Sequence, residues 1–187
     1  MTNDLEFVRA YLADLQTVVG GLDPEPVARA IGILREARDA GRMVFLCGNG
    51  GSASIASQMV VDLVKGGSYG KEARFRVLGL TDSVSTITAY ANDVDYSVVF
   101  EEPLRNFARE GDVLIAISGS GNSANVLKAV AYANKIGCRT IGLTTARGGR
   151  LREAAELPLV APSSHMGRLE DCFFVLTHIL CYAFMEE

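Results

Sequence analysis

The chain has 187 residues, 49% hydrophobic and 21% charged, a composition suited to one globular domain with a sizeable core. A formal net charge of −4 argues against an electrostatic nucleic-acid binder, and no direct contact with nucleic acid is expected. The start from Met1 to Glu6 is acidic and polar, unlike a secretion signal, and the longest nearly apolar run, Cys172 to Met185, falls short of the ~20 residues of a bilayer span. A cytoplasmic protein with no membrane partner is the expectation.

The first predicted helix runs from about Leu5 to Val19 and carries Leu5, Val8, Leu12, Leu15 and Val19 on one apolar stripe. Gly20-Gly21 stops it, and Asp23-Pro24 opens a second helix to about Ala40. Met43 to Cys47 is short and apolar on both faces, which predicts a buried parallel strand. Further strands are predicted at Arg74 to Leu80, Val113 to Ile117, Arg139 to Leu143 and Leu157 to Ala161. Helices are expected near Ala53–Lys65, Val98–Arg109, Ser123–Ile136 and Gly149–Ala155, and a last one from about Arg168 to Met185. This alternation predicts an α/β fold, a three-layer αβα sandwich with a five-stranded parallel sheet of the flavodoxin-like family of orders. One domain is expected: residues 1–40 form N-terminal helices used in oligomerisation, and residues 41–187 form the ligand-binding core.

Two loops stand where such sheets bind ligands, outside the strand carboxyl ends. In Gly48-Asn49-Gly50-Gly51-Ser52 the glycines permit close backbone approach, while Asn49 and Ser52 add side-chain donors and acceptors. Taken alone, this loop fits a plain strand-to-helix turn as well as an anion site. Ser118-Gly119-Ser120-Gly121-Asn122-Ser123 is more specific, because three hydroxyls lie beside the free amides of a helix start. Neutral donors there suit a monophosphate. Neither loop has the lysine of a nucleotide-triphosphate loop or the G-x-G-x-x-G spacing of a dinucleotide site.

Acid–base candidates follow on helices. Gln58 and Asp62 are four apart and share a face beside apolar Ile55, Met59 and Val60, so Asp62 reads either as a pocket carboxylate or as a partner of Lys65. Glu170, Phe174 and His178 step along the last helix at four-residue spacing, and a histidine among Leu176, Ile179 and Leu180 fits a core position as well as a catalytic one. His165 lies just before that helix, as a loop histidine or a second candidate for the site. The cysteines at 47, 138, 172 and 181 show no paired spacing and read as packed thiols.

These motifs together resemble the sugar isomerase (SIS) domain, and within it the sedoheptulose-7-phosphate isomerases, or phosphoheptose isomerases. The likeness rests on Cys47–Ser52, Ala91-Asn92-Asp93, Glu110–Leu114, Ile117–Val126 and His178-Ile179-Leu180, over nearly the full length. It implies that Asn49, Gly50, Gly51 and Ser52 line a sugar-phosphate site, that Ser118, Gly119, Ser120 and Ser123 hold the phosphate, and that Asn92 and Asp93 contact substrate hydroxyls. Gly119 stands where the family often has threonine.

The family's catalytic glutamate falls at Asp62 and its catalytic histidine at His178, while a glutamine of its last helix falls at Glu170, counted here with the substrate-binding residues. A zinc set found in some members falls at Gln58, Asp62, Glu170 and His178, of which three differ in type. The resemblance thus implies isomerisation of sedoheptulose 7-phosphate to D-glycero-D-manno-heptose 7-phosphate through an ene-diol, in a homotetramer with sites between subunits. Two alternatives stand beside it: an isomerase of another sugar phosphate, and a non-catalytic SIS adaptor resembling the one that binds the bacterial replication initiator.

Overall fold

Alternate residues of each short strand face opposite ways, so a strand apolar on both faces needs helices on both sides. Val44 and Leu46 join one core and Phe45 and Cys47 the other; Ile115 and Ile117 are likewise separated from Leu114 and Ala116. The computed structural model, which describes residues 3–187, meets this demand with a single parallel sheet. Its strands are β1 (Met43–Gly48), β2 (Arg76–Gly79), β3 (Val113–Ile117), β4 (Arg139–Thr145) and β5 (Leu157–Ala161), in the order β2-β1-β3-β4-β5. In register, Leu46 stands beside Ile115 and Gly48 beside Ile117. The three-layer αβα sandwich expected from the sequence is therefore present, and its strand order reverses between β1 and β3.

On one face pack α2 (Pro24–Asp39), α3 (Gly51–Val61) and α8 (Met166–Met185), burying Leu34, Ile55, Met59, Phe173 and Phe184 against the sheet. The other face is covered by α5 (Glu101–Phe107), α6 (Ala124–Lys135) and α7 (Leu151–Ala154), around Phe45, Leu104 and Val126. The first helix, α1 (Asp4–Gly20), is capped by Asn3 and docks on α8 rather than on the sheet. Tyr11 Oη donates to Asp171 Oδ2 at 2.5 Å, and Arg168 pairs with Asp14 at 2.8 Å. The hydrogen bond to Asp171 holds the Tyr11 hydroxyl above its ordinary pKa.

Four elements depart from the sequence reading. Arg74 and Phe75 lie outside β2, because the Phe75 amide donates to Ser68 Oγ and its ring stacks edge-on against Phe184, with centroids 4.8 Å apart. A helix that the sequence reading lacked, α4 (Val84–Asp93), is capped by Ser83 and buries none of its residues. The helix expected at Val98–Arg109 is only α5, preceded by a 3₁₀ turn at Tyr96–Val98. It ends early because Asp112 draws the Arg109 amide to its carboxylate at 2.8 Å. The helix expected to reach Lys65 leaves α geometry after Val61 and continues as a π turn over Asp62–Gly66, with the Gly67 amide bonding Asp62 O.

All four cysteines are free and buried, and burial pushes the Cys47 thiol up to about 12. No helix among the described residues is long and apolar enough to cross a membrane.

Candidate active site at the sheet switch point

The loops after β1 and β3 lie side by side because those strands are neighbours whose connections leave in opposite directions, which opens a crevice at their carboxyl ends. Each loop runs into a helix whose N-terminus has no side-chain cap: Gly50 before α3 and Ser123 before α6. Side chains cap α1, α2, α4 and α8, while the short α5 and α7 are uncapped as well. Two uncapped starts aimed at one crevice leave amide donors and the positive ends of two helix dipoles for an anion.

Close packing sets the glycines. Gly50 has φ of +55°, open only to a residue without Cβ, and a Cβ at Gly48 would lie 2.8 Å from the Ser52 backbone. Side chains fix the second loop: Ser118 Oγ lies 3.2 Å from Ser123 Oγ and accepts the Gly121 amide at 3.1 Å, while Ser120 Oγ accepts the Asn122 amide. The start of α8 covers both loops. A side chain at Gly119 would run into Met166 and Leu169, and one at Gly51 would run into the Glu170 carboxylate. Gly119 is thus small because α8 occupies the space beside it, and Glu170 sits at the start of α3.

A residue that the sequence reading did not single out ties the loops together. Asn49 Nδ2 donates to Asn125 Oδ1 at 2.9 Å, and Asn125 Nδ2 donates back to Asn49 Oδ1 at 2.8 Å. The Val126 amide, which can only donate, also bonds Asn125 Oδ1, and this fixes the orientation of both amides. Asn125 is only 2% exposed. Tyr96 also went unremarked; its hydroxyl donates to Asn49 Oδ1 at 2.9 Å. No signal within the sequence points to a pairing of residues 49 and 125, since neither spacing nor periodicity relates them.

Asp62 and His178 do meet, but elsewhere. His178 Nε2 is 3.8 Å from Asp62 Oδ2, and Gln58 Nε2 donates to Asp62 Oδ1 at 3.1 Å, so the Lys65 pairing weighed from the sequence is not the one formed. The Asp62 side chain is 16% exposed and that of His178 is 48% exposed. Asp62 lies eleven residues beyond Gly51, about 16 Å down the helix axis from the anion crevice. Exposed Val61, Val64, Ile179 and Tyr182 surround this pair in sequence on the same two elements.

The zinc set does not assemble within the chain. Glu170 and His178 are eight residues apart on α8, about 12 Å along its axis, which leaves Glu170 at the crevice and His178 beside Asp62. Among the described residues no group of three or more His, Cys, Asp or Glu side chains is placed to hold a metal ion. Gln58, Asp62, Glu170 and His178 therefore do not fit one metal centre in a single chain.

Asn92 and Asp93 close α4, three residues before Tyr96 whose hydroxyl reaches Asn49. Asn92 donates to Asp93 at 2.7 Å, and Asp93 lines a shallow cavity of about 430 Å³ with Ser85, Thr86 and Tyr90. His165 is exposed rather than in the core; it caps α8 through the Arg168 amide and meets the Tyr11 ring edge-on.

Comparison with known proteins agrees with this arrangement. The SIS domain family model matches residues 7–145. A phosphoheptose isomerase of Aliarcobacter butzleri is 37% identical over 183 residues, covering 96% of each chain, and one of Rhodospirillum rubrum is 40% identical over 83% of this chain and 82% of its own. Phosphoheptose isomerase GmhA from Neisseria gonorrhoeae superposes with a TM-score of 0.90 at 28% identity, covering 99% of this chain and 100% of its own. One from Francisella tularensis does so with a TM-score of 0.90 at 26% identity, over the full length of both. The chain belongs to the SIS domain family and, within it, to the phosphoheptose isomerase group of sugar-phosphate isomerases.

Proposed function

We propose that the protein converts sedoheptulose 7-phosphate to D-glycero-D-manno-heptose 7-phosphate, as a homotetramer whose sites lie between subunits. The observation that carries this reading is the pair of uncapped helix starts at the switch point, joined by the Asn49–Asn125 amide pair and lined by Ser118, Ser120 and Ser123. Such a crevice suits a phosphate that does not react, and its binding energy is then available to position the reacting carbons. The relatives named above are phosphoheptose isomerases, which supports the heptose phosphate as substrate.

In this reading Asp62 takes the proton from the carbon beside the carbonyl while His178 supplies one to the carbonyl oxygen, which gives an ene-diol. Collapse in the other direction returns a proton to the former carbonyl carbon and releases one from the neighbouring hydroxyl. Each proton transfer contributes about 10²–10⁴-fold. The pair lies about 16 Å down α3 from the same chain's phosphate crevice, more than a seven-carbon sugar bridges with ease. A second chain is therefore assigned the task of presenting its acid–base pair to the crevice of the first. Exposed Leu5, Phe7, Val8 and Leu12 on α1, and Val61, Val64, Ile179 and Tyr182 beside the pair, supply the apolar surface for that assembly. Asn92 and Asp93, on the exposed α4, take substrate hydroxyls in the same assembled site.

Turnover of sedoheptulose 7-phosphate by wild type, Asp62→Asn and His178→Ala tests the reading. Both variants should lose at least 100-fold in kcat while melting within about 2 °C of wild type, since neither side chain fills the core. Full activity in either variant removes that residue from the mechanism. A wild type inert on heptose, hexose and pentose phosphates alike favours the non-catalytic adaptor.

A further inference from the structure

Arg76 opens β2, Arg42 immediately precedes β1 and Arg109 lies in the turn that leads into β3, all at the pole of the sheet opposite the switch point. With Asn106, Phe107 and Asp112 they line a cleft of about 340 Å³. Arg35, Arg38, Arg105, Arg139 and Arg168 each reach a carboxylate, whereas Arg42, Arg76 and Arg109 pair with none among the described residues. Arg42 gives one N–H to Glu110 O and Arg76 gives one to Gly41 O, which holds two of the guanidiniums at the rim with most of their donors free.

Asp112 is the one acid of the lining, and it is committed to the fold. It is 4% exposed, with Oδ1 accepting the Met43 amide at 2.9 Å and Oδ2 accepting the Arg109 amide at 2.8 Å. The cleft thus presents three cations against one buried, fully bonded anion, on a chain whose net charge is negative. Phe107, 55% exposed, forms an apolar wall beside them.

From this we infer a second anion site, separate from the crevice at the carboxyl ends of β1 and β3, that binds a diphosphate group. Guanidiniums are fork-shaped donors matched to phosphoryl oxygens. The three line one cleft from different segments, where two linked phosphoryl groups meet more of them than one does. Inorganic pyrophosphate and the tail of a nucleoside diphosphate share this chemistry, and Phe107 offers a base a surface on which to stack. The site lies about 17 Å from the loop after β1, the length of that strand, and so does not compete with the substrate phosphate directly.

Calorimetric titration of the intact protein with pyrophosphate, orthophosphate and ADP tests the inference. Pyrophosphate should bind once per chain and at least tenfold more tightly than orthophosphate, and the Arg42→Gln/Arg109→Gln protein should bind it at least tenfold more weakly with KM for the sugar phosphate unchanged. ADP binding tighter than pyrophosphate assigns the nucleotide as ligand; equal affinity assigns the diphosphate alone. Absence of pyrophosphate binding to wild type overturns the inference. So does binding unchanged by the double replacement, and also by Arg76→Gln, because the anion would then sit on the serine loop instead.

Discussion

Replacing Asn125 with alanine should damage both stability and ligand binding. The side chain is 2% exposed and makes three hydrogen bonds: two reciprocal ones with Asn49 at 2.8 and 2.9 Å, and one from the Val126 amide at 2.9 Å. Each is worth roughly 0.5–1.5 kcal/mol net, and the half-buried Asn49 regains part of its loss from water, so the expected cost is about 2–3 kcal/mol. For a domain of this size that lowers Tm by roughly 5–10 °C. Because the same pair joins the two ligand loops, KM for the sugar phosphate should rise as well. Scanning calorimetry and steady-state kinetics on Asn125→Ala, Asn49→Ala and the double variant measure both effects, and the two single costs should fail to add by about 1 kcal/mol or more. A Tm within about 1 °C of wild type with unchanged KM would refute the view that this amide pair organises the crevice.

Ser120→Asp sets a carboxylate against the phosphate position and should weaken sugar-phosphate binding at least tenfold by calorimetry; wild-type affinity would place the phosphate elsewhere. Glu187, held down to about 2 by hydrogen bonds first to Arg35 and then to Arg38, contributes stability that is complete above its ordinary value of 4.5 and is lost as pH falls towards 2. The Tm advantage of wild type over Glu187→Gln should therefore shrink as pH is lowered from about 5, and a gap independent of pH would count against that clamp. Light scattering should return about four times the chain mass of 20.0 kDa, and a monomer at all concentrations would end the proposal of shared sites.

The strands were the most legible part of the sequence, for a physical reason. Val113–Ile117 is found where the apolar run predicts it, because a parallel strand buried on both faces has no polar face to blur its limits, and the edge strand Leu157–Ala161 also keeps its predicted bounds. Helix α4 was not legible, since Val84-Ser85-Thr86-Ile87-Thr88 is rich in β-branched and hydroxyl residues and only Ile87, Tyr90 and Ala91 lean, half-buried, on the core. At the site, glycine and serine content marked both loops, but the Asn49–Asn125 bond joins residues 76 apart in sequence that meet only because β1 and β3 are neighbours. The spacing of Glu170 and His178 gave their shared side of a helix and the two turns of rise between them, but not what each end of α8 packs against. That rise is why one belongs to the crevice and the other to the Asp62 pair.

The separation also bears on the shorter carboxylate at position 62. A glutamate there would reach further by one methylene, and displacement of a catalytic group by ~1 Å costs on the order of 100-fold. Asp62 does not float in that gap: Gln58 holds Oδ1 at 3.1 Å and leaves Oδ2 facing His178 at 3.8 Å. The π turn begins at this residue, so its backbone is not bound to the position a regular helix would impose. In the proposed mechanism the base is thus oriented by Gln58 and placed by the turn, and the remaining distance to the substrate is set by how closely a neighbouring chain docks. Reach that a longer side chain supplies within one subunit becomes, with aspartate, a property of the interface, and changes at Val61 or Val64 should alter kcat through it without touching a proton-transfer group.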